Sequence, residues 1–598
     1  MFRFLTRREA PVIMKYNLQQ LPEEKKQSTV SSIKGLLQLI AHERSNLLLA
    51  LLAILINASL NLLGPYLIGH TIDTYVVTKQ YHGVLVFSAI LLGMYLIVLL
   101  TSYLQTKLMG SIGQRLLFTL RNAIFNKLQQ LPLAFFNQNK AGDLISRVNN
   151  DTDKLNQFFS QALTQFISSI ATMTGAGIFL LVIHAELGLA ALCPAAAILI
   201  FTKLVSPWVK RKNAVSLKSV GGMSAEIQES LDNFKVIVAF NRRDYFRKRF
   251  EEVNNQNYQT AVGAGLANNI FLPVYGLFSS LAQLIVLTFG IYLIEEGSFT
   301  IGLLVSYLAY CVSFYNPLRQ LATLWSSFQV AMAGWDRVAQ ILSLESDLHV
   351  IPHVDAVDGD AVLEFKEVYF AYPNGKDILR HVNFRLTKGK TYALVGPTGG
   401  GKSTTASLMA RLYDPTQGMV LLNGRDIRSY EAEERSKKIG FILQEPFLFS
   451  GTVKENILYG NPAYQDYSDE QLKEMIRAKG LEELLLIFEG GLDTPVSARG
   501  EDLSLGLKQV IAFIRAVLRD PEVLILDEAT ANIDTVTEQL LEKILQKLPK
   551  ETTLVVIAHR LNTIENADEI FFVNLGEVDR AGSFDEAVNR LMHGQKRT

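Results

Sequence analysis

The chain has 598 residues, enough for several domains, and its 58 lysines and arginines are balanced by 58 aspartates and glutamates. That balance gives no reason to expect a nucleic-acid partner, and the two cysteines, Cys193 and Cys311, both in apolar runs, argue against a disulfide framework or a cysteine-built metal site. A mean hydropathy of +0.18 averages two unlike halves: long uncharged apolar runs before about Leu342, and alternating charged and apolar residues after about Val362.

Residues 1–30 are polar and lack the basic start, apolar centre and cleavage site of a signal peptide, so they are expected to form a loosely attached cytosolic tail. Ser31 to Arg44 places Ile33, Leu36, Leu37, Leu39 and Ile40 at helical spacing, which fits either a helix lying on the membrane surface or an ordinary surface helix. Charge-free stretches then run Ser45–Ile72, Gln80–Thr106, Leu155–Ala185, Leu187–Thr202, Val253–Ile294 and Gly297–Leu318. Spanning a bilayer takes about 20 residues. The fourth stretch is short, but it can continue past Lys203 toward Trp208 with the lysine stem reaching the interface.

Val253–Ile294 would make one helix of about 60 Å, or two spans broken near Pro273. Parity decides between them. The glycine-rich phosphate-binding turn after Val395 and the basic loops must share the cytosolic side, which six spans allow and seven do not. One long helix projecting into the cytosol is therefore expected. The segments Lys107–Lys154 and Lys203–Arg249 are rich in basic residues, including Arg211, Lys212, Arg242, Arg243, Arg247, Lys248 and Arg249, whereas the opposite loops contribute only Lys79. This asymmetry places both termini in the cytosol. Asn57, Asn61, Asn268, Asn269 and Gln283 lie inside the spans, where they either mark a pathway or join helices by hydrogen bonds.

The two basic segments are too long for plain connectors and read as helical extensions joined by short turns. The first contains Leu131-Pro132-Leu133-Ala134-Phe135-Phe136 and then Gly142-Asp143-Leu144-Ile145-Ser146-Arg147. This pattern resembles the ATP-binding cassette (ABC) exporters. The second, Glu229-Ser230-Leu231 through Val236-Ile237-Val238-Ala239-Phe240-Asn241, resembles the matching loop of that family. The resemblance implies that the loop tips are coupling helices that dock on a nucleotide domain.

Residues 343–361 read as a polar linker, after which Leu363–Val368 and Tyr369-Phe370-Ala371-Tyr372-Pro373 look like two strands. Tyr392-Ala393-Leu394-Val395 is a buried strand, followed by Gly396-Pro397-Thr398-Gly399-Gly400-Gly401-Lys402-Ser403 and a helix beginning Thr404-Thr405-Ala406. Strand, glycine-rich turn and helix is the context of a phosphate-binding loop. Successive N–H groups curl around one concavity, the helix dipole points at it, Lys402 reaches outer phosphates, and the Ser403 hydroxyl suits Mg²⁺. Val523-Leu524-Ile525-Leu526-Asp527-Glu528 is an apolar strand ending in two carboxylates. Asp527 suits the Mg²⁺ shell, and Glu528 suits the base that orients an attacking water. The family resemblance extends across Val362 to about His593. It implies that Tyr372 stacks on adenine, that Gln444 is the glutamine reaching the metal, that His559 contacts the γ-phosphate, and that Ala531-Asn532-Ile533-Asp534 stands at the D-loop.

The family's signature loop, Leu-Ser-Gly-Gly-Gln, reads Leu503-Ser504-Leu505-Gly506-Leu507 here. Ser504 and Gly506 still offer a hydroxyl and a backbone N–H, but Leu505 adds bulk and Leu507 removes a polar partner. Ala498-Arg499-Gly500 also lacks the usual preceding glutamate. Either a heterodimer pairs this chain with a second, intact half-transporter, which is favoured, or a homodimer tolerates the altered loop.

The expected architecture is an α-helical six-span transmembrane domain (31–342, after a tail over 1–30) followed by an α/β P-loop nucleotide-binding domain of ABC type (362–598). With ATP and Mg²⁺ as ligands, the resemblance implies ATP-driven export or flipping of a hydrophobic or amphipathic drug, lipid or peptide across a bacterial inner or cell membrane, in contact with lipid. An ATP-gated channel or regulatory subunit is the alternative.

Overall fold

The computed structural model describes residues 16–18, 43–352, 359–373, 375–527, 539, 541, 543–545, 548–557 and 565–593. The chain divides into two compact units: Glu23–Leu128 with Gly142–Ser343, and Met1–Pro22 with Gln129–Ala141 and Leu344–Thr598.

Among the described residues, six helices are long and apolar enough to cross a membrane: α1 Arg44–Val76, α2 Tyr81–Gln130, α3 Ala141–Ile183, α4 Ala185–Asp232, α5 Arg243–Glu295 and α6 Ile301–Ser343. The fold class read from the sequence is the one observed. The helices outrun the charge-free windows because a charged residue ends a stretch that hydrocarbon tolerates without ending the helix. The stretch Val253–Ile294 lies within the single run α5, which is interrupted once, at Ile270. The cause is Pro273, which has no N–H for the carbonyl of Asn269 and crowds it. Of the amphipathic Ser31–Arg44 segment, residues 31–42 lie outside the described residues.

Polar side chains join these helices. Asn57 on α1 donates to the Val98 carbonyl (3.1 Å), Thr101 Oγ1 (3.1 Å) and Ser102 Oγ (2.8 Å) on α2. Asn268 and Asn213 exchange reciprocal amide bonds of 2.9 Å between α5 and α4. Three buried tyrosines of α6 donate to backbone carbonyls: Tyr307 to Leu180, Tyr310 to Leu62 and Tyr315 to Ala191. Of the two roles open to the intramembrane asparagines, Asn57 and Asn268 take the one of joining helices. Asp143, of the Gly-Asp-Leu motif, accepts from Arg147 Nε (3.0 Å) and Arg337 Nη2 (2.7 Å), tying the start of α3 to the end of α6.

The second unit is built on two large sheets, with β7 (Gly451–Thr452) and β8 (Pro495–Val496) pairing as a separate two-stranded ladder. One has the order β2 (Asp377–Thr387), β1 (Ala361–Ala371), β4 (Gln417–Leu422), β5 (Arg425–Asp426) and is antiparallel. The two strands expected before the glycine turn are one strand, β1. Its register shifts near Glu367, a residue at φ 48° whose N–H bonds Asn383 Oδ1 instead of continuing the ladder. The other sheet has the order β12 (Glu577–Ala581), β11 (Glu569–Asn574), β3 (Thr391–Val395), β10 (Thr553–Ile557), β9 (Val523–Asp527), β6 (Ile439–Ile442). All but the edge strand β12 run parallel. β3, β9 and β10 are almost wholly buried, which is why they read as unbroken apolar runs. Helix α7, Lys402–Met409, begins at the end of the glycine turn, and helix α8, Leu505–Val517, begins directly after Ser504.

Glu522, just before β9, accepts from Lys438 Nζ and Asn423 Nδ2, both at 2.6 Å. Burial pushes its carboxyl up, but these two donors outweigh it and hold the group below the ordinary glutamate range. A carboxylate depressed in the folded state stabilises the fold above its unfolded pKa and loses that contribution as pH falls. The melting temperature should therefore drop more steeply below about pH 4.3 in the unmodified protein than in Glu522→Gln. Parallel curves would contradict the assignment.

Candidate nucleotide site

In a parallel sheet, ligands bind outside the carboxyl ends of the strands. β3 ends at Val395 and turns through the glycine-rich loop into α7, capped by Gly401. The turn presses against β11: a Cβ on Gly396, which sits at φ 150°, would lie 2.0 Å from the Val573 carbonyl oxygen. Gly399, at φ 82°, has nothing within 4 Å of the position a Cβ would take, so its glycine answers to backbone conformation alone. Pro397 and Thr398 form the turn between them, and Gly400 N–H bonds the Pro397 carbonyl (3.0 Å).

Lys402 is 5% exposed, and its ammonium donates to the Gly396 (2.8 Å) and Pro397 (3.1 Å) carbonyls, so its charge stands at the loop itself. Ser403 Oγ lies 3.4 Å from Asp527 Oδ1, joining the start of α7 to the end of β9. A hydroxyl and a carboxylate oxygen at that separation fit the hard-oxygen donor set that Mg²⁺ prefers. Gln444 is exposed two residues past β6, whose Ile442 pairs with Leu526, so it leaves the sheet at the same end as Asp527.

Tyr372 follows β1. Its ring meets Phe370 and Tyr413 edge-on, with centroids 4.9 and 5.2 Å apart, and its hydroxyl is 3.3 Å from Thr404 Oγ1. Thr404 is buried, and its hydroxyl faces Tyr372. The structure thus brings Gly396, Lys402, Ser403, Thr404, Asp527 and Tyr372 onto one strand-end neighbourhood. Glu528, His559 and the Ala531–Asp534 segment lie outside the described residues.

Ser504 caps α8, accepting from the Leu507 N–H (3.3 Å), and Gly506 is buried in its first turn. Among the described residues, no hydrogen bond joins either to the glycine turn. Leu507 and Leu503 pack on the core beneath α8, while Leu505 is half-buried. Leu507 thus contributes apolar packing at the start of α8.

Two residues of this neighbourhood carried no sequence signal. Tyr413 is buried between Phe370 and Tyr372 and accepts a 2.7 Å bond from Asn137 Nδ2 on the short helix Leu133–Gln138. Burial pushes its phenol up. A chain separation of 276 residues hides this pair from any periodicity.

Residues 47–318 match the family model described as the ABC transporter transmembrane region, and residues 379–531 match the model described as ABC transporter. The chain is 33% identical over 574 residues to the ABC transporter ATP-binding protein YfiC of Bacillus subtilis, covering 95% of this chain and 94% of that protein. It is 30% identical to the ATP-dependent lipid A-core flippase of Salmonella typhimurium, covering 96% and 97% of the two chains. It is 32% identical to a fatty acid ABC transporter ATP-binding/permease protein of Mycobacterium tuberculosis, covering 84% and 79%.

Proposed function

The chain belongs to the ABC transporter family, and on that premise we propose that it is half of a dimeric exporter or flippase that moves a hydrophobic or amphipathic substrate by alternating access. It is an integral membrane protein and an ATPase coupled to transport. The observation that carries the proposal is the Ser403–Asp527 pair beside Lys402, in a chain with six apolar helices among its described residues. The relatives named for fatty acid and lipid A-core support a lipid-like substrate over a peptide. Basic loops on one side support a cytosolic nucleotide domain and cytosolic termini in a bacterial inner or cell membrane.

In this reading Tyr372 supports the base, the backbone N–H groups of the glycine turn hold the phosphates, and Lys402 swings its ammonium to the outer ones. Ser403, Asp527 and Gln444 would hold Mg²⁺, which neutralises charge on the phosphate oxygens. Glu528 orients the water, and His559 contacts the terminal phosphate. Ser504 and Gly506 serve a nucleotide held by the other subunit. Because closure of the dimer must be worth more in one membrane state than in the other, binding drives the conformational change and hydrolysis resets it.

The altered loop favours a heterodimer, in which an intact partner loop completes the site built on Lys402 and Glu528. Restoring the pattern with Leu505→Gly and Leu507→Gln is expected to raise ATPase activity several-fold in whatever dimer forms; unchanged activity would show that the leucines are tolerated. The functional reading itself is tested in lipid vesicles. ATP should drive a fluorescent phospholipid or fatty acid across the bilayer faster than a non-hydrolysable analogue does. Equal rates, with passive ion current instead, would refute it.

A further inference from the structure

The peptide Tyr16–Leu18 takes part in none of this chemistry, and composition assigns it to a loosely attached tail. It is nevertheless anchored on two remote parts of the second unit. Tyr16 N–H donates to Gln138 Oε1 (3.1 Å), Leu18 N–H donates to Asn139 Oδ1 (3.0 Å), and Asn139 Nδ2 returns a bond to the Tyr16 carbonyl (2.8 Å). The Tyr16 side chain is fully buried and meets the Phe135 ring edge-on at 6.2 Å. Its hydroxyl donates to the Glu345 carbonyl (3.1 Å) and accepts from the Asp347 N–H (2.9 Å). Burial, with the charge of Asp347 adding to it, pushes the phenol well above its usual range, so the donating proton stays in place at working pH.

Phe135, Gln138 and Asn139 belong to the loop between α2 and α3, whereas Glu345 and Asp347 open the linker after α6. One side chain therefore joins loop tip to linker. The same tip carries Asn137, whose bond to Tyr413 leads to Tyr372 and from there to Thr404 at the start of α7.

We propose that Tyr16 is a positioning residue that clasps the Leu133–Asn139 loop tip to the linker, holding Asn137 on Tyr413 and so fixing the attitude of Tyr372. This rests on Tyr372 being the surface that supports the nucleotide base. Phenylalanine cannot replace Tyr16 fully: the ring would remain on Phe135, but the Asp347 N–H would lose its acceptor.

The test uses the full-length assembly in lipid nanodiscs, with hydrogen exchange at residues 133–139 and the ATP dependence of hydrolysis as readouts. Tyr16→Ala should accelerate exchange at these amides and raise the KM for ATP about fivefold, the equivalent of one net hydrogen bond, with kcat little changed. Tyr16→Phe should fall between Tyr16→Ala and the unmodified protein. Asn139→Ala, which removes the bonds to the Tyr16–Leu18 backbone, should reproduce the effect, and it carries the test if Tyr16→Ala fails to accumulate. Unchanged exchange and KM in these variants would overturn the clasp. A drop in melting temperature with KM unchanged would overturn it too, because it would show a merely structural role. If the unmodified assembly hydrolyses no ATP, the transport reading fails; the clasp is then judged by the same exchange measurement and by the Kd of a fluorescent ATP analogue in place of KM.

Discussion

Glu528→Gln is expected to lower ATP turnover by at least about a hundredfold, the lower end of what a positioned general base contributes, while nucleotide binding stays essentially unchanged. The expectation follows from the chain's course. β9 runs buried and parallel between β6 and β10 and emerges at Asp527, whose Oδ1 already faces Ser403. The next residue in the sequence is a second carboxylate, Glu528. Asp527 faces the hydroxyl at the start of α7, and in the proposed mechanism the water therefore falls to the second carboxylate of the sequence. Glutamine keeps the shape and removes the charge, so the loss should appear in phosphate release at saturating ATP rather than in affinity. Turnover at the unmodified rate would refute the assigned base.

Lys402→Ala should act on the other quantity. Its ammonium is nearly inaccessible to water and rests on the Gly396 and Pro397 carbonyls, so it is already desolvated where phosphate would meet it. Truncating one member of a buried, hydrogen-bonded charge pair costs about 2 kcal/mol or more, which is roughly a thirtyfold rise in the Kd for ATP. Lys402→Arg should not restore binding, since the planar fork does not fit a position built for a compact charge. Equilibrium titration with a fluorescent ATP analogue reads the effect. A Kd near that of the unmodified protein would remove Lys402 from the phosphate site, whatever happened to turnover.

Lys402 and Asp527 were legible in the sequence because their signals are local, whereas Glu528 lies outside the described residues. A glycine-rich turn between an apolar strand and a helix names its own geometry, and carboxylates at the end of a buried strand do the same for β9. The spans were legible as well, since run length and charge exclusion are one-dimensional properties. The basic segments were legible as helical extensions, and α2 and α4 do continue as charged helices, but the residues at which they end carry no one-dimensional signal. The single strand β1 read as two because the left-handed residue Glu367 interrupts the alternation without ending the strand. Least legible were the side chains that join distant segments. Tyr16 to Glu345 crosses 329 positions and Asn137 to Tyr413 crosses 276, and neither tyrosine belongs to a motif. Only the fold puts them together. Leu507 is a local case: the sequence shows an apolar residue there, but its packing against the core beneath α8 needed the fold.

Closure of ATP between two ABC subunits is tested most directly by weighing the purified assembly of the Glu528→Gln protein in lipid nanodiscs, with and without ATP. The predicted result is a particle of two ABC chains, this one and a non-identical partner, held more tightly when ATP is present. A particle holding a single copy of this chain and no second ABC subunit, whose unmodified form still hydrolyses ATP, would contradict it.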